Sequence, residues 1–248
     1  MSKVPRLRMF AGPNGSGKST IKSVIRPELL GVYINPDDIE DEFRLQGFLD
    51  LEAFGVSSTA EEVLSFFRRS ELLERADLLA VTDSLRLEGG KLSFHQVEVN
   101  SYLASTTADF IRHELLKSGA SFTFETVMSS PDKVSFLKKA QERGFRTYLY
   151  YVATEDPIIN ISRVRNRVRL GGHPVPEDKI VSRYGRSLSL LADAIRHTNR
   201  AYIFDNSRRQ HIWLAEVTDG KVLEMKSDSM PVWFKRAVWD KLMPTEMR

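Results

Sequence analysis

The sequence predicts an α/β fold with a mainly parallel sheet of five strands. Apolar runs of strand length alternate with helical patterns along most of the chain, which is typical of parallel sheets. The first of these runs, residues 7–11, leads directly into a glycine-rich turn and then into a helical pattern from Ser19. A strand, a glycine-rich loop and a helix in this order form a phosphate-binding unit, because the helix N-terminus adds partial positive charge to the loop.

The other strands of the predicted sheet are short apolar runs bounded by turn residues. We place them at residues 31–34, 121–126, 147–152 and 201–205. Helical patterns separate the later strands, and we place them at residues 132–143, 157–169 and 177–197. Helices on both faces of the sheet give a fold of three layers.

A long insertion interrupts this pattern. Residues 40–118 predict a mostly helical segment without clear strands, and its best helices cover residues 61–67 and 110–116. It follows the second strand of the predicted sheet.

The C-terminal part of the sequence departs from the alternation of parallel strands and helices. Two apolar runs flank Asp219-Gly220, a sequence that favours a β-hairpin, and an amphipathic helix is predicted at residues 231–242. We interpret residues 208–248 as a C-terminal extension of a single domain that spans residues 1–248.

The glycine-rich turn, AGPNGSGKST, occupies residues 11–20 and fits the pattern G-x-x-x-x-G-K-[ST]. Its glycines allow a tight backbone turn whose N–H groups point at phosphate oxygens. Lys18 is expected to reach the β- and γ-phosphates, and the Ser19 hydroxyl to bind Mg²⁺. The residues predicted to bind ATP are Gly12, Pro13, Asn14, Gly15, Ser16, Gly17, Lys18, Ser19 and Thr20.

Composition excludes several classes of protein. Of the 248 residues, 42% are hydrophobic and 28% charged, which excludes a disordered chain. No apolar run approaches the roughly 18 residues that a membrane-spanning helix needs, and residues 1–10 do not resemble a signal peptide. The absence of cysteine excludes disulfides and thiolate chemistry, and fits the cytoplasm. The net charge of +3 is mild, and we do not expect nucleic acid as a partner.

Carboxylates near the strand ends favour a kinase over other phosphate-loop proteins. The chain has no N-K-x-D element of guanine-specific proteins, and its fourth strand is a poor match to the magnesium-binding strand of motor ATPases. Instead, carboxylates lie at the ends of the second and third strands, at the sheet edge that carries the phosphate loop: Asp37 or Asp38, and Glu125. A carboxylate there can accept the proton of a substrate hydroxyl. Asp38 is interpreted as a cap of the next helix, and Asp37 as the general base.

A run of arginines follows the fourth strand and flanks Gly171-Gly172. Its members are Arg163, Arg165, Arg167, Arg169, Arg183 and Arg186. Such a run is usually a solvated helix face, but small-molecule kinases place a lid at this point. The planar guanidinium group suits the charge of a phosphoryl group in transfer, so at least one of these arginines is predicted to be catalytic. Spacing leaves open which one.

The motifs taken together resemble the zeta-toxin family of P-loop kinases. The resemblance runs over roughly residues 5–207 and consists, in order, of GPNGSGKST, INPDDI, FTFET and RVRNRVRLGGHPVPEDKIVSRYGRSL. It implies a fold like that of adenylate and shikimate kinases. It also implies that ATP and Mg²⁺ are used to phosphorylate the 3′-hydroxyl of the amino sugar in UDP-N-acetylglucosamine, and that an antitoxin protein is a partner.

The resemblance also implies roles for single residues. Asp37 corresponds to the general base, Lys18 and Ser19 to the phosphate and metal ligands, and Arg163 to the first lid arginine. Glu125 with Thr126, and Asp109 on the preceding helix, correspond to substrate-binding residues.

This chain departs from the family pattern at two places. It reads Glu125-Thr126-Val127 where many members read E-G-T, and His173 stands near the place of the second lid arginine, a role that Arg167 or Arg169 would take. The C-terminal extension is similar to that of chromosomal relatives from Gram-negative bacteria.

Two other functions are compatible with the same motifs. A kinase of nucleic-acid hydroxyl groups would use the arginines to bind the phosphate backbone, with steep salt dependence. A non-catalytic module, held by an antitoxin, would bind ATP and transfer nothing. The carboxylate of Asp37 argues against the second, because a protein that only binds ATP has no use for a base.

Overall fold

The computed structural model describes residues 4–23 and 25–243. Val24, which the sequence assigns to the first helix, and both ends of the predicted domain 1–248 lie outside the described residues. The chain divides into two compact units, which we call unit 1 (Met1–Leu30 and Thr123–Arg248) and unit 2 (Gly31–Phe122).

Strands and helices alternate as the sequence predicts. The strands are β1 (Arg6–Ala11), β2 (Val32–Ile34), β3 (Leu49–Asp50), β4 (Leu85–Glu88), β5 (Lys91–Phe94), β6 (Phe122–Thr126), β7 (Arg146–Ala153), β8 (Arg200–Asp205), β9 (Ile212–Thr218) and β10 (Val222–Met225). The helices are α1 (Lys18–Lys22), α2 (Pro36–Gln46), α3 (Ala60–Arg68), α4 (Glu71–Arg75), α5 (Ser101–Ser118), α6 (Asp132–Glu142), α7 (Pro157–Arg169) and α8 (Glu177–Arg196). Among the described residues, no helix is both long and apolar enough to cross a bilayer.

The chain ends in a helical segment, which we call the C-terminal segment. It is α-helical at Val232–Phe234 and Asp240–Leu242, and Lys235–Trp239 between them is a π-helix. The helix predicted at residues 231–242 is therefore present, with one wider turn in its middle.

The sheet of unit 1 confirms the predicted fold class. Its strand order is β10-β9-β8-β7-β1-β6, and β1, β7 and β8 pair in parallel. The predicted hairpin forms as β9 and β10, which extend the same sheet because β9 pairs antiparallel with β8. The carboxyl ends of the parallel strands therefore meet at one edge, and the chain turns into its loops there.

A row of aromatic rings supports α1 on one face of this sheet. Phe10, Tyr150 and Tyr202 are direct neighbours on adjacent strands, and their rings stack with centroids 4.7 and 4.9 Å apart. Ile21 of α1 is fully buried in the cluster that includes Phe10. Burial of such side chains stabilises the fold by about 1.5–3 kcal/mol each, so α1 is fixed against the sheet.

Unit 2 corrects the prediction of an insertion without strands. It contains a three-stranded antiparallel sheet in the order β3-β5-β4. The hairpin signal was present in the sequence, because residues 85–94 alternate apolar and polar side chains around Gly89-Gly90. The buried ring of Phe94 lies 5.8 Å from Phe43 and 5.7 Å from Phe67, which packs the sheet against α2 and α3.

The N-terminus of α3 is closed by a complete capping box. The Thr59 hydroxyl accepts a hydrogen bond from the Glu62 backbone N–H, and the Thr59 backbone N–H donates to the Glu62 carboxylate over 2.8 Å. Thr59→Ala removes the hydroxyl, and we expect the free energy of unfolding to fall by about 0.5–2 kcal/mol in urea titrations. Thr59→Ser keeps the cap and is expected to lose much less. Equal losses in both variants would contradict this account of the cap.

Candidate active site

The phosphate loop connects β1 to α1 at the carboxyl edge of the sheet. Gly17 is the N-cap of α1, and its carbonyl accepts hydrogen bonds from Thr20 and Ile21. The Gly12 N–H donates to the Thr126 carbonyl over 3.3 Å, which joins the start of the loop to the end of β6. The strand, loop and helix predicted from the sequence are therefore all present.

Three glycines of the loop are required by close contacts as well as by backbone conformation. Gly12, Gly15 and Gly17 have φ angles of +145°, +72° and +98°. A Cβ at Gly12 would collide with the Val152 carbonyl oxygen of β7, and one at Gly15 would lie 2.6 Å from a carbonyl oxygen of α7. A Cβ at Gly17 would collide with the side-chain amide of Asn206. The loop backbone thus touches β7, α7 and the residue after β8 with no room for a side chain.

Two buried asparagines, which we call the clamp asparagines, hold loop carbonyls from outside. The Asn160 side-chain amide on α7 donates to the Asn14 carbonyl over 2.6 Å, and the Asn206 amide donates to the Ser16 carbonyl over 2.7 Å. Asn160 is fully buried and Asn206 is 8% exposed. Each amide restricts a carbonyl that could otherwise rotate, so the loop backbone is held in one conformation.

The clamp asparagines are themselves held in place. Thr154 donates its hydroxyl proton to the Asn160 side chain, and its carbonyl accepts a 2.6 Å hydrogen bond from the Tyr184 hydroxyl. Burial, with smaller contributions from nearby carboxylates, raises the pKa of Tyr184 to about 12, so this donor keeps its proton at neutral pH. The Asn206 backbone N–H donates to Ala153 over 2.8 Å.

Lys18 and Ser19, the predicted phosphate and metal ligands, are the first two residues of α1. The Lys18 ammonium donates to the carbonyls of Gly12 and Pro13 at 3.1 and 3.3 Å, and therefore lies across the loop. The Ser19 hydroxyl lies 3.5 Å from the buried Glu125 carboxylate at the end of β6. Strands and helices far apart in sequence thus bring a hydroxyl and a carboxylate together beside the loop.

This pair of oxygens fits magnesium. Mg²⁺ prefers oxygen ligands and is usually bound by one or two protein groups together with substrate phosphates and water. Among residues 4–23 and 25–243, no group of three or more histidine, aspartate or glutamate side chains could hold a metal ion. The hydroxyl of Ser19 and the carboxylate of Glu125 are oxygen donors of the kind that Mg²⁺ prefers, and their role as metal ligands stays a prediction.

Thr126 is engaged within its own turn. Its hydroxyl accepts a 3.0 Å hydrogen bond from the Met128 N–H, and Met128 has a φ of +54°. The next carbonyl, that of Val127, accepts a hydrogen bond from Ser187 of α8. The threonine therefore shapes the backbone after Glu125, and its role in substrate binding stays a prediction.

The arginine run divides into residues with different contacts. Arg163 donates to the Arg208 carbonyl over 3.4 Å, and its second terminal nitrogen is buried without a hydrogen-bond partner among the described residues. Arg165 forms an ion pair with Glu177 that joins α7 to α8, and Arg167 donates to the His173 carbonyl. Arg163, the predicted first lid arginine, lies one turn after Asn160 on α7, the helix that contacts the loop. The catalytic roles of Arg163 and Arg167 stay predictions.

Asp37 and Asp109 belong to unit 2. The structure corrects the interpretation of Asp38 as a helix cap: α2 is capped by Asn35, whose side chain accepts from the Asp37 N–H, while Asp38 accepts from the Asn35 amide. Asp109 pairs with the buried Arg112 on the next turn of α5. The roles of Asp37 as the base and of Asp109 as a substrate ligand stay predictions.

Sequence reasoning missed the clamp asparagines. Asn206 directly follows an apolar strand, and Asn160 lies in the first turn of a helix after another strand. At those positions asparagine is equally typical of turns and helix starts. Only their shared position at the strand ends next to the loop could have indicated a role.

A parallel sheet with a clamped glycine-rich loop defines the class of phosphate-loop α/β proteins. The sequence model of the zeta toxin family matches residues 91–218, which is just over half of the chain and includes Glu125 and the arginine run. The chain belongs to the zeta toxin family, as the motifs predict.

Individual relatives agree with this assignment of fold. An uncharacterized protein of Haemophilus influenzae is 33% identical over 72 residues, which cover 29% of this chain and 51% of that protein. The structure of the AvrRxo1-ORF1:AvrRxo1-ORF2 complex with sulphate ions superposes with a TM-score of 0.54 at 13% identity, over 98% of this chain and 66% of that chain. The native complex gives a TM-score of 0.54 at 14% identity, over 94% and 64%. This chain thus spans about half the length of the curated relative. It spans 66% and 64% of the lengths of the two solved chains.

Gly17 and Gly144 offer a direct comparison of crowding and backbone strain. Both have positive φ angles, +98° and +80°, but a Cβ at Gly144 would meet nothing within 4 Å. Gly144→Ala is expected to cost about 1–2 kcal/mol of unfolding free energy. Gly17→Ala is expected to cost at least about 1 kcal/mol more, because Asn206 must give up its hydrogen bond to Ser16. Denaturant titrations measure both values, and equal losses would contradict the close contact.

Proposed function

We propose that this chain is a kinase that uses ATP and Mg²⁺ to phosphorylate a hydroxyl group of a nucleotide sugar such as UDP-N-acetylglucosamine. The observation that carries the proposal is the clamped phosphate loop, with the Lys18 ammonium across it and Ser19 beside Glu125. Membership of the zeta toxin family supports phosphoryl transfer, and the nucleotide sugar is the acceptor that the sequence resemblance implies.

ATP binding follows from the charges and donors of the loop. Backbone N–H groups of a fixed glycine-rich loop and the N-terminus of α1 favour phosphate oxygens. Lys18 exchanges the carbonyls of Gly12 and Pro13 for β- and γ-phosphate oxygens, which is a favourable exchange because the new partners carry full negative charge. One terminal nitrogen of Arg163 is buried without a hydrogen-bond partner among residues 4–23 and 25–243, and would supply a further donor to a phosphate group.

Ser19 and Glu125 would hold the metal ion. Bound Mg²⁺ neutralises phosphate charge and stabilises the leaving oxygen. The Ser19 hydroxyl provides a neutral ligand and the Glu125 carboxylate an anionic one, directly or through water. Glu125 therefore has two candidate roles, as a metal ligand and as the substrate ligand that the family resemblance implies.

Transfer to the acceptor needs a base and an arginine. Asp37 takes the proton of the acceptor hydroxyl as its oxygen forms a bond to the γ-phosphorus, while the bond to the β-phosphate oxygen breaks and ADP leaves. Since Asn35 is the cap of α2, the helix does not need Asp37 for capping. Arg163, with Arg167 as the second lid arginine, offsets the charge of the phosphoryl group in transfer.

We propose an antitoxin protein as the partner and the cytoplasm as the place of action. Family membership supports the first, and the dependence on ATP and the lack of cysteine support the second.

The direct test is incubation of the purified protein with Mg²⁺, ATP and a panel of nucleotide sugars, followed by mass spectrometry. The expected result is one added phosphoryl group on a nucleotide sugar, together with ADP. Oligonucleotides with free 5′- and 3′-hydroxyl groups belong in the panel, because phosphorylation of these alone would favour a nucleic-acid kinase. ATP binding without transfer to any acceptor would favour a non-catalytic module.

Lys18→Ala tests the phosphate loop. Without the ammonium group, negative charge on the β- and γ-phosphates is uncompensated in the transition state, and we expect turnover to fall by about 10²–10³-fold. The control is Lys138→Ala, which removes an exposed lysine of α6 that is not part of the loop. A correctly folded Lys18→Ala protein with wild-type turnover would refute the assignment of the loop.

Asp37→Asn tests the base. Asparagine keeps the size of the side chain but cannot accept a proton at neutral pH, so transfer is expected to drop by about 10²–10⁴-fold with little change in ATP affinity. Asp38→Asn is the matched control, because it makes the same change of carboxylate to amide at the neighbouring residue, whose side chain accepts a hydrogen bond from the Asn35 amide. Single-turnover rates at saturating ATP distinguish the two. Equal losses, or a large loss only in Asp38→Asn, would place the base on another carboxylate.

A further inference from the structure

A tryptophan of the C-terminal segment is bonded to the end of a central strand. Trp233 is 5% exposed, and its indole N–H donates to the Asp205 carboxylate over 2.7 Å. Asp205 is the last residue of β8. Trp233 lies beyond residues 91–218, the part of the chain that the family model matches. The contact is therefore a feature of this chain that the family assignment does not describe.

The Asp205 carboxylate is the centre of a hydrogen-bonded turn. Besides Trp233, it accepts from the Ser207 backbone N–H at 3.0 Å and from the Ser207 hydroxyl at 2.8 Å. The Ser207 hydroxyl in turn accepts from the Glu155 N–H at the end of β7. Asp205 is 4% exposed, so loss of any one donor leaves part of a buried carboxylate without compensation.

The residue inside this turn is the clamp asparagine Asn206. Its side chain holds the Ser16 carbonyl of the phosphate loop, and its amide nitrogen occupies the space next to Gly17 that a Cβ would need. A displacement of the turn therefore displaces the donor that holds the Ser16 carbonyl. A continuous path of hydrogen bonds and peptide bonds leads from Trp233 through Asp205 and Asn206 to Ser16.

The same indole also contacts Tyr151, which links it to the loop that follows Glu125. The Trp233 ring lies 6.4 Å from that of Tyr151, whose hydroxyl shares a 2.9 Å hydrogen bond with Ser187. Ser187 donates to the Val127 carbonyl over 2.8 Å, in the loop that follows Glu125. The indole is thus linked through Tyr151 and Ser187 to the loop that follows Glu125, as it is linked through Asp205 and Asn206 to the phosphate loop.

The C-terminal segment is anchored independently on α8. Arg196 donates to the Lys241 carbonyl over 3.1 Å, and the Lys241 ammonium donates to the Ser189 carbonyl over 3.2 Å. These contacts keep the segment attached when the bond to Asp205 is removed, so that bond can be tested by itself.

We propose that Trp233 is a positioning residue for the phosphate loop. Through Asp205 it fixes the turn that carries Asn206, and the C-terminal segment thereby sets the affinity of the loop for the triphosphate of ATP. The inference rests on the proposed function, which takes ATP to be the ligand of the phosphate loop. Coupling of this kind is reciprocal, so bound ATP also stabilises the C-terminal segment.

The test compares two tryptophan variants by calorimetric titration with Mg²⁺ and ATP. Trp233→Phe keeps an aromatic ring and removes the N–H, and we expect the Kd for ATP to rise about 5–10-fold, the equivalent of one lost hydrogen bond. Trp213→Phe is the matched control, since the Trp213 N–H donates to the Ala215 carbonyl two residues away on β9. Its Kd is expected to stay within about 2-fold of the wild-type value.

Two further measurements separate positioning from general stability. Asp205→Asn keeps the size of the side chain but turns one acceptor into a donor. It is expected to raise the Kd for ATP as Trp233→Phe does. If Trp233→Phe does not fold, the Kd of Asp205→Asn tests the inference in its place. Hydrogen exchange of residues 232–238 should slow on addition of ATP in the wild type and in Trp213→Phe, but not in Trp233→Phe.

The outcomes also separate this inference from the proposed function. An unchanged Kd in folded Trp233→Phe, or in Asp205→Asn where the first variant does not fold, overturns the inference and leaves the proposed function intact. A wild-type protein that binds no ATP overturns the proposed function, and this inference with it.

Discussion

The close contact of three glycines of the phosphate loop with three neighbouring segments is the constraint on which the rest of the site depends. Gly12, Gly15 and Gly17 let the loop backbone lie directly on β7, on α7 and on the residue after β8. Two amide groups, those of Asn160 and Asn206, then fix its carbonyls. Such a constraint favours an anion site formed by backbone N–H groups. The loop loses its conformational freedom when the protein folds, so this entropic cost does not reduce the affinity for phosphate.

The same constraint explains why other residues lie where they do. Since α7 holds the loop through Asn160, the residue one turn later, Arg163, is carried to the same side of the sheet. Since β6 pairs within the same sheet and its end bonds to Gly12, the carboxylate of Glu125 comes within 3.5 Å of the Ser19 hydroxyl. The C-terminal segment adds a hydrogen bond from Trp233 to Asp205, in the turn that contains the clamp asparagine Asn206. The predicted phosphate ligand, the predicted metal ligands and the predicted lid arginine thus depend on a few backbone positions in unit 1.

The sequence was most informative about elements that depend on local patterns, such as the spacing of glycines or the periodicity of apolar residues. The phosphate loop, the parallel strands and the C-terminal hairpin were predicted, because glycine spacing and apolar periodicity are local properties of the chain. The strands around Gly89-Gly90 were missed since they lie among helices, although their alternation was visible. The Asn35 cap was missed because two aspartates follow it and compete for the same interpretation. Asn160 and Asn206 could not be predicted, because their function arises from contacts 146 and 190 residues away in sequence.

The central claim is that a side-chain clamp holds the phosphate loop ready for ATP. Its most direct test is the dissociation constant of Mg²⁺ and ATP for Asn160→Ala, measured by calorimetry beside the wild type. The fully buried Asn160 amide holds the Asn14 carbonyl at 2.6 Å and is removed from α7 without any change to the loop sequence. The account predicts a Kd at least about 10-fold higher, since a buried partner left unsatisfied costs about 1–3 kcal/mol. A folded Asn160→Ala protein with the wild-type Kd would contradict it.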